Sequence, residues 1–283
     1  MTFQGNRGKG GTGGGLGVAG FAPDCLIFDV DGVLIDSSAS YQETIRMAVE
    51  GEWGAASLIV DAPGYSPALN TVFKRHGGFN DDDHIAWGLL NIAASRDPGT
   101  GRLSECIPDP GELAAIIRPC GAGSARRWLE ENFAGRFSLG RVADRCMKIY
   151  RGSDGQPGAY AAEKPMFDAH WRDLPLPVYV FTGRESRDWE LGKGILSWDD
   201  FPDERAVTSD SGMLKPSPEG LEFICRRFGH ASPLFFGDTA SDKMSYEAFG
   251  RGRFVAIGSV LGSWAPNFPC VRDALSNLIG WRG

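Results

Sequence analysis

Short apolar runs that stop abruptly at polar residues place the strongest constraint on this chain. Cys25-Leu26-Ile27-Phe28 ends at Asp29, Val178-Tyr179-Val180-Phe181 at Thr182, and Leu234-Phe235-Phe236 at Gly237-Asp238. Ala206-Val207 and Phe254-Val255-Ala256-Ile257 complete the series. Runs of this length without polar alternation suit strands buried on both faces. Helical periodicity separates the later runs. Leu221, Ile224, Cys225 and Phe228 share one helical face, and Ser241 to Phe249 and Val271 to Ile279 also read as helices. Strands alternating with helices predict an α/β fold with a parallel, Rossmann-like sheet.

The first run is far from the second. About 150 residues separate Phe28 from Val178, too many for a simple crossover. Helical patterns fill this stretch at Ser40 to Glu50, Pro67 to Arg75, Asp82 to Ala94, Gly111 to Ile117, Ser124 to Asn132 and Arg141 to Tyr150. We therefore expect a mostly helical inserted domain over residues 37–171 and a sheet core over 21–36 and 172–283. Residues 1–20 are dominated by glycine, which loses much backbone entropy on ordering and buries almost nothing in return, so a flexible tail is expected there. The G-x-G-x-x-G at Gly15, Gly17 and Gly20 precedes a strand rather than following one, which removes its phosphate-binding mechanism. The run Gly8 to Thr12 hints at a phosphate loop but lacks the adjacent Gly-Lys-Ser/Thr.

Bulk properties exclude several classes. A net charge of -7 without a long basic run argues against a general grip on nucleic acid. No run of about 18 apolar residues reads as a membrane span, and the glycine-rich start is not a signal peptide. Six cysteines form no C-x-x-C pair and no Cys/His cluster with zinc spacing, so reduced structural thiols in a cytoplasmic protein are expected.

In open α/β sheets, ligands bind beyond the carboxyl ends of the strands, so the polar residues there should converge. Asp29-Val30-Asp31-Gly32-Val33 brings two carboxylates, which could serve as a nucleophile and a general acid/base. Thr182-Gly183-Arg184 offers a hydroxyl, a backbone N–H and a guanidinium for phosphoryl oxygens. Lys215-Pro216-Ser217-Pro218-Glu219 places a lysine where a helix is expected to start. Gly237-Asp238-Thr239-Ala240-Ser241-Asp242 adds two more carboxylates. Carboxylates packed together repel, and a bound cation would relieve them. All-oxygen ligands without His or Cys point to Mg²⁺. Phosphate chemistry fits the same charges. A phosphate dianion about 4 Å from a carboxylate is repelled by roughly 8 kcal/mol at an effective dielectric near 20. Mg²⁺ and the Lys215 ammonium could reverse that sign and stabilise the transferring group.

The order D-x-D-G-V, T-G, K-P-x-P-E and G-D-x-x-x-D resembles the four signature motifs of the haloacid-dehalogenase superfamily. The resemblance implies that Asp29 is the nucleophile that becomes an aspartyl-phosphate, and that Asp31 is the general acid/base, its backbone carbonyl joining the metal shell. It implies that Thr182 and Lys215 hold the phosphoryl group, with Gly183 and Arg184 beside them. Asp238 would then ligate Mg²⁺ directly, and Asp242 would support the metal directly or through water. The insertion resembles the helical C1-type cap of the phosphoglycolate-phosphatase-like branch, where the cap closes over the site. It is longer than the usual cap, and its stretch Gly77 to Asp83 resembles an uncharacterised group within that branch. Arg46, Lys74, Asn80 and Asp81 are the cap residues considered for substrate selection. A second Lys-Pro, in Glu163-Lys164-Pro165, precedes the second strand and breaks the motif order, so Lys215 is preferred.

The expected activity is that of a Mg²⁺-dependent phosphatase acting on a small phosphomonoester, such as phosphoglycolate or a sugar phosphate. Other readings are a phosphomutase, a phosphonatase using Lys74 as a Schiff-base lysine, or a non-catalytic binding protein on the same fold. A dehalogenase is disfavoured because Asp31 is present.

Overall fold

The computed structural model describes residues 21–79, 81–121, 125–133, 135–153, 155–262 and 264–283. The glycine-rich segment 1–20, with Gly15, Gly17 and Gly20, and the cap residue Asn80 lie outside the described residues. In chain order the strands are β1 (Cys25–Phe28), β2 (Ile35–Asp36), β3 (Gly152–Ser153), β4 (Gln156–Pro157), β5 (Lys164–Pro165), β6 (Val178–Phe181), β7 (Ala206–Val207), β8 (Pro233–Gly237), β9 (Arg253–Ile257) and β10 (Asn267–Phe268).

Six of them form one parallel sheet in the order β10-β9-β8-β1-β6-β7. β1 is central, with Ile27 opposite Tyr179 on one side and Phe235 on the other. Every residue of β1, β6 and β8 is buried, as the unbroken apolar runs require. Leu26, Phe28, Val180 and Phe236 face one layer, Cys25, Ile27, Phe181 and Phe235 the other. β10 was not legible in the sequence, because a two-residue strand carries no apolar run.

The segment between β1 and β6 is helical. It comprises α1 (Ser38–Ala55), α2 (Pro67–His76), α3 (Asp82–Ser95), α4 (Leu103–Cys106), α5 (Pro110–Ile117), α6 (Ala125–Phe133) and α7 (Leu139–Arg151). It leaves and rejoins the sheet through an antiparallel pair, β2 with β5. It also holds its own apolar cluster, in which Val49, Trp53, Phe73, Leu89, Leu90 and Val142 are among the buried members. Capping follows the sequence closely. Ser66 accepts from Leu69 N–H ahead of Pro67, and Asp109 with Glu112 closes a capping box ahead of Pro110.

The sheet side contributes α8 (Ser186–Leu196), α9 (Glu219–Phe228), α10 (Ala240–Phe249) and α11 (Val271–Ile279). Lys215 does not open a helix: α9 begins at Glu219 with Pro218 as its N-cap. Lys215 and Ser217 each precede a proline, which drives them away from helical angles, so the segment stays a loop. No helix among the described residues is long and apolar enough to cross a membrane.

The first turn of α3 carries Asp82 and Asp83. Burial, followed by the charge of Asp83, pushes the Asp82 carboxyl up to about 7. A carboxyl raised above its unfolded value near 3.9 stabilises the fold in its protonated form. That contribution is complete below about pH 4 and is lost as pH rises through about 7. Asp82→Asn cannot ionise, so relative to the parent it should be stabilised by about 1–2 kcal/mol more at about pH 8 than at about pH 4. Chemical denaturation at both pH values measures this, and an equal offset at both would contradict it.

Candidate active site

The carboxyl ends of β1 and β8 adjoin, and the local chain geometry there is tightly prescribed. Asp29 N–H donates to Phe236 carbonyl oxygen at 2.9 Å. The chain then turns sharply, with Val30 carbonyl oxygen accepting from Val33, Leu34 and Ile35. Gly32 permits this turn at φ 79°, and a Cβ added there would lie 2.4 Å from Asp238 Oδ2. A glycine is therefore required both by the backbone angle and by the carboxylate packed against it.

Asp242 is fixed by the start of α10. Its Oδ2 accepts from Asp238 N–H at 3.2 Å, Thr239 N–H at 3.0 Å and Thr239 Oγ1 at 2.6 Å. This leaves Oδ1 facing Lys215 Nζ at 2.6 Å. Lys215 also reaches Asp29 Oδ1 at 2.7 Å, so one ammonium bridges two carboxylates contributed by different strand ends. Burial alone would lower the Lys215 ammonium, but Asp242 and Asp29 outweigh it and raise it.

These carboxylates repel one another. Asp29 is pushed up to about 8, by burial first and then by Asp242, Asp238 and Asp31, with Lys215 opposing. Burial is also the largest cause raising Asp238. Oxygens of Asp29, Asp238 and Asp242 all lie within 4.8 Å of one another, and all three residues are buried. Asp238 Oδ1 is shielded from solvent and meets no hydrogen-bond donor. An unsatisfied buried carboxylate oxygen beside two others is a donor set that suits a hard divalent cation.

Thr182 ends β6, the other neighbour of β1, and is buried at the same end of the sheet. Its N–H donates to Val207 carbonyl oxygen, and its Oγ1 accepts from Arg184 N–H at 3.1 Å. Gly183 is exposed beside it.

Arg184 departs from the expectation of a phosphoryl contact. Its side chain is 0% exposed, and it binds protein carboxylates instead. Nε donates to Asp31 Oδ2 at 3.1 Å, one Nη to Asp31 Oδ1 at 2.6 Å and to Glu163 Oε2 at 2.8 Å, and the other Nη to Asp188 carbonyl oxygen at 3.3 Å. A guanidinium without solvent must be matched by charge, and these carboxylates match it. Burial would raise the Asp31 carboxyl, but Arg184, with help from Ser37 and Lys74, holds it below the usual range. Asp31 is thus directed toward Arg184 rather than into the Asp29–Asp238–Asp242 oxygen set.

Glu163 was missed. In the sequence it is only the residue before a discounted Lys-Pro, yet its side chain is 0% exposed and it also accepts from Ser40 Oγ at 2.7 Å and Tyr150 hydroxyl at 2.9 Å. Tyr41 stacks on Tyr150 with ring centroids 4.9 Å apart, and the Arg184 guanidinium lies 5.8 Å from the Tyr41 ring. Lys164 itself is exposed. The signal that could have identified Glu163 is the need of a buried Arg184 for a second anion.

Among the described residues Arg46, Lys74 and Asp81 of the helical segment, Lys74 is the one that enters the site. It sits in the last turn of α2 and donates to Asp238 Oδ2 at 2.7 Å. Its burial is outweighed by Asp238, Asp31 and Asp29, which raise the ammonium. The end of α2 is held close to α10: a Cβ on Gly77 would be 3.1 Å from Ala240 Cβ. Arg46 instead pairs along α1 with Glu43 and Glu50, and Asp81 pairs with His84.

No family model matches the sequence, and no curated protein matches it. Solved structures do match. The phosphatase Tt82 of Thermococcus thioreducens is 26% identical with a TM-score of 0.60, over 84% of this chain and 94% of that one. A candidate phosphoglycolate phosphatase of Lactobacillus plantarum is 16% identical with a TM-score of 0.56, over 91% of this chain and 100% of that one. Another from Lactobacillus delbrueckii subsp. bulgaricus is 15% identical with a TM-score of 0.54, over 83% and 85%. At such identities the latter two establish the shared fold.

Proposed function

From a chain with the haloacid-dehalogenase fold, we propose a phosphatase that hydrolyses a small phosphomonoester through an aspartyl-phosphate on Asp29, with Mg²⁺ bound by Asp29, Asp238 and Asp242 and by the backbone carbonyl of Asp31. The observation that carries this reading is the balance of charge at the strand ends. Lys215 bridges Asp29 and Asp242, while Asp238 keeps a buried oxygen without a donor. Such a site lowers the repulsion between an anionic nucleophile and an anionic substrate only when it also holds a cation. Mg²⁺ would supply Lewis acidity toward the phosphoryl oxygens.

The remaining steps fall to the protein. Asp29 attacks phosphorus, and the bond from phosphorus to the ester oxygen breaks. Asp31 delivers a proton to the departing oxygen and then takes one from the water that attacks the phosphoryl-enzyme, releasing inorganic phosphate and Asp29. Arg184 keeps Asp31 ionised in the free protein, the form needed as base. A phosphate dianion nearby raises a carboxyl, which favours the acid form for the first half-reaction. Thr182 and Lys215 hold the phosphoryl oxygens, with Gly183 N–H available beside them. The helical segment acts as a cap that shields this chemistry from water.

Lys74 is the cap residue we assign to substrate. A Schiff base requires a free amine, and the carboxylates around Lys74 favour its ammonium. This counts against a phosphonatase. An ammonium from the cap suits an anionic group of the substrate, such as a carboxylate or a second phosphate. Lys74→Ala should lower kcat/KM on such a substrate by roughly 10- to 100-fold. Its effect on an aryl phosphate whose leaving group carries no charge should be much smaller, because the group it binds is absent. Equal losses on both substrates would contradict the assignment.

The function itself is tested by release of phosphate from an aryl phosphate and from a panel of phosphorylated metabolites, with Mg²⁺ or with a chelator. Mg²⁺-dependent release supports the reading, and chelator-resistant release opposes it. Transfer to a second sugar hydroxyl instead of water would favour a phosphomutase.

A further inference from the structure

The opposite end of the sheet holds a second ligand set of different chemistry. Asp24 precedes β1, Cys25 opens it, and His230 lies in the connection from α9 to β8. One ligand atom from each lies within 4.8 Å of the other two. Asp24 and His230 are each oriented by partners outside the cluster. Asp24 Oδ2 accepts from the N–H groups of Ala231 at 2.6 Å and Ser232 at 3.0 Å, which leaves Oδ1 buried without a hydrogen-bond donor and 3.7 Å from His230 Nδ1. His230 Nε2 is 2.8 Å from the Tyr179 hydroxyl, so Nδ1 is the nitrogen turned toward the carboxylate. This outer hydrogen bond is the device that fixes a metal-ligating imidazole. Cys225 of α9 belongs to the same buried cluster as Cys25. A cleft of about 440 Å³ lined in part by Cys225 and His230 gives solvent access.

We propose that Asp24, Cys25 and His230 form a binding site for a thiophilic divalent cation of the zinc type. A thiolate, an imidazole and a carboxylate are zinc ligands, whereas the catalytic cluster offers oxygens alone. The two ends of the sheet would therefore sort metals by hardness. Sequence spacing conceals this site because Cys25 and His230 are brought together only by pairing, in which Cys25 lies opposite Pro233. Binding displaces the Cys25 thiol proton to solvent and leaves the metal on the thiolate. By joining the start of β1 to the α9–β8 connection, the metal would raise thermal stability.

The test is titration of the full chain, stripped of metal and kept under reductant, with Co²⁺ as a spectroscopic probe. A thiolate-to-cobalt charge-transfer band, abolished by Zn²⁺ and untouched by excess Mg²⁺, is expected. Asp29→Asn and Cys146→Ser should keep the band, while Cys25→Ser and His230→Gln should lose it. If Cys25→Ser does not fold, His230→Gln alone decides, since its side chain is near the surface. Absence of the band in the parent, or its survival in a folded His230→Gln variant, would overturn the proposal.

Discussion

Asp29→Asn is expected to reduce turnover of an aryl phosphate on the order of 10⁴-fold or more, while leaving the protein folded. Loss of a nucleophile that acts together with its partners has effects of this size. The amide cannot carry the charge that attacks phosphorus, and the neighbouring carboxylates Asp31, Asp238 and Asp242 are held by Arg184, by Lys74 and by the α10 turn. Folding should be spared for an electrostatic reason. Asp29 is already pushed up to about 8 by burial and neighbouring carboxylates, so its charge opposes the native state. Lys215 keeps its contact with Asp242 at 2.6 Å. A thermal melt and a phosphate-release assay on the same preparation separate the two effects. Retained turnover would remove Asp29 from the chemistry, and a large loss of stability would make any loss of turnover uninformative about mechanism.

Arg184→Met should have the largest effect on stability, destabilising the protein by about 3–5 kcal/mol. The guanidinium has no solvent contact and pairs with partly exposed Asp31 and fully buried Glu163, so its removal strands the Glu163 charge and takes the paired cation from Asp31. Adding Glu163→Gln should recover part of the loss, because the amide can still accept from Ser40 and Tyr150 without carrying a charge. Denaturant unfolding of both single variants and the double variant gives the coupling between them. Additive losses would show that Arg184 and Glu163 do not share one network. Turnover of Arg184→Met should also fall, since Asp31 loses the ion pair that orients it.

The parts of this architecture legible in the sequence are those with local causes. Unbroken apolar runs marked β1, β6 and β8, and each stopped at the residues that the fold gathers at one end of the sheet. What escaped depends on packing between distant segments. Arg184 follows a threonine and a glycine, the pattern of a phosphate-binding residue, but its direction is set by Asp31 and Glu163. Helix α8 was obscured by Gly192 and Gly194, which weaken a helical pattern. Gly192 has a packing reason, because a Cβ there would stand 3.3 Å from an Arg184 nitrogen and from Ile35 Cδ1. Lys74 is a candidate in the sequence alongside Arg46, Asn80 and Asp81, and only the packing of α2 against α10 distinguishes it.

The central claim is that a phosphoryl group passes through Asp29. It is tested most directly by acid quenching during turnover of a radiolabelled substrate, followed by peptide mapping. Asp31→Asn should accumulate the intermediate, because its amide cannot activate the water of the second step. An acid-stable, hydroxylamine-labile label is expected on the peptide that carries Asp29, and none in Asp29→Asn. Label on any other residue, or Mg²⁺-dependent turnover with no labelled protein in either the parent or Asp31→Asn, would contradict it.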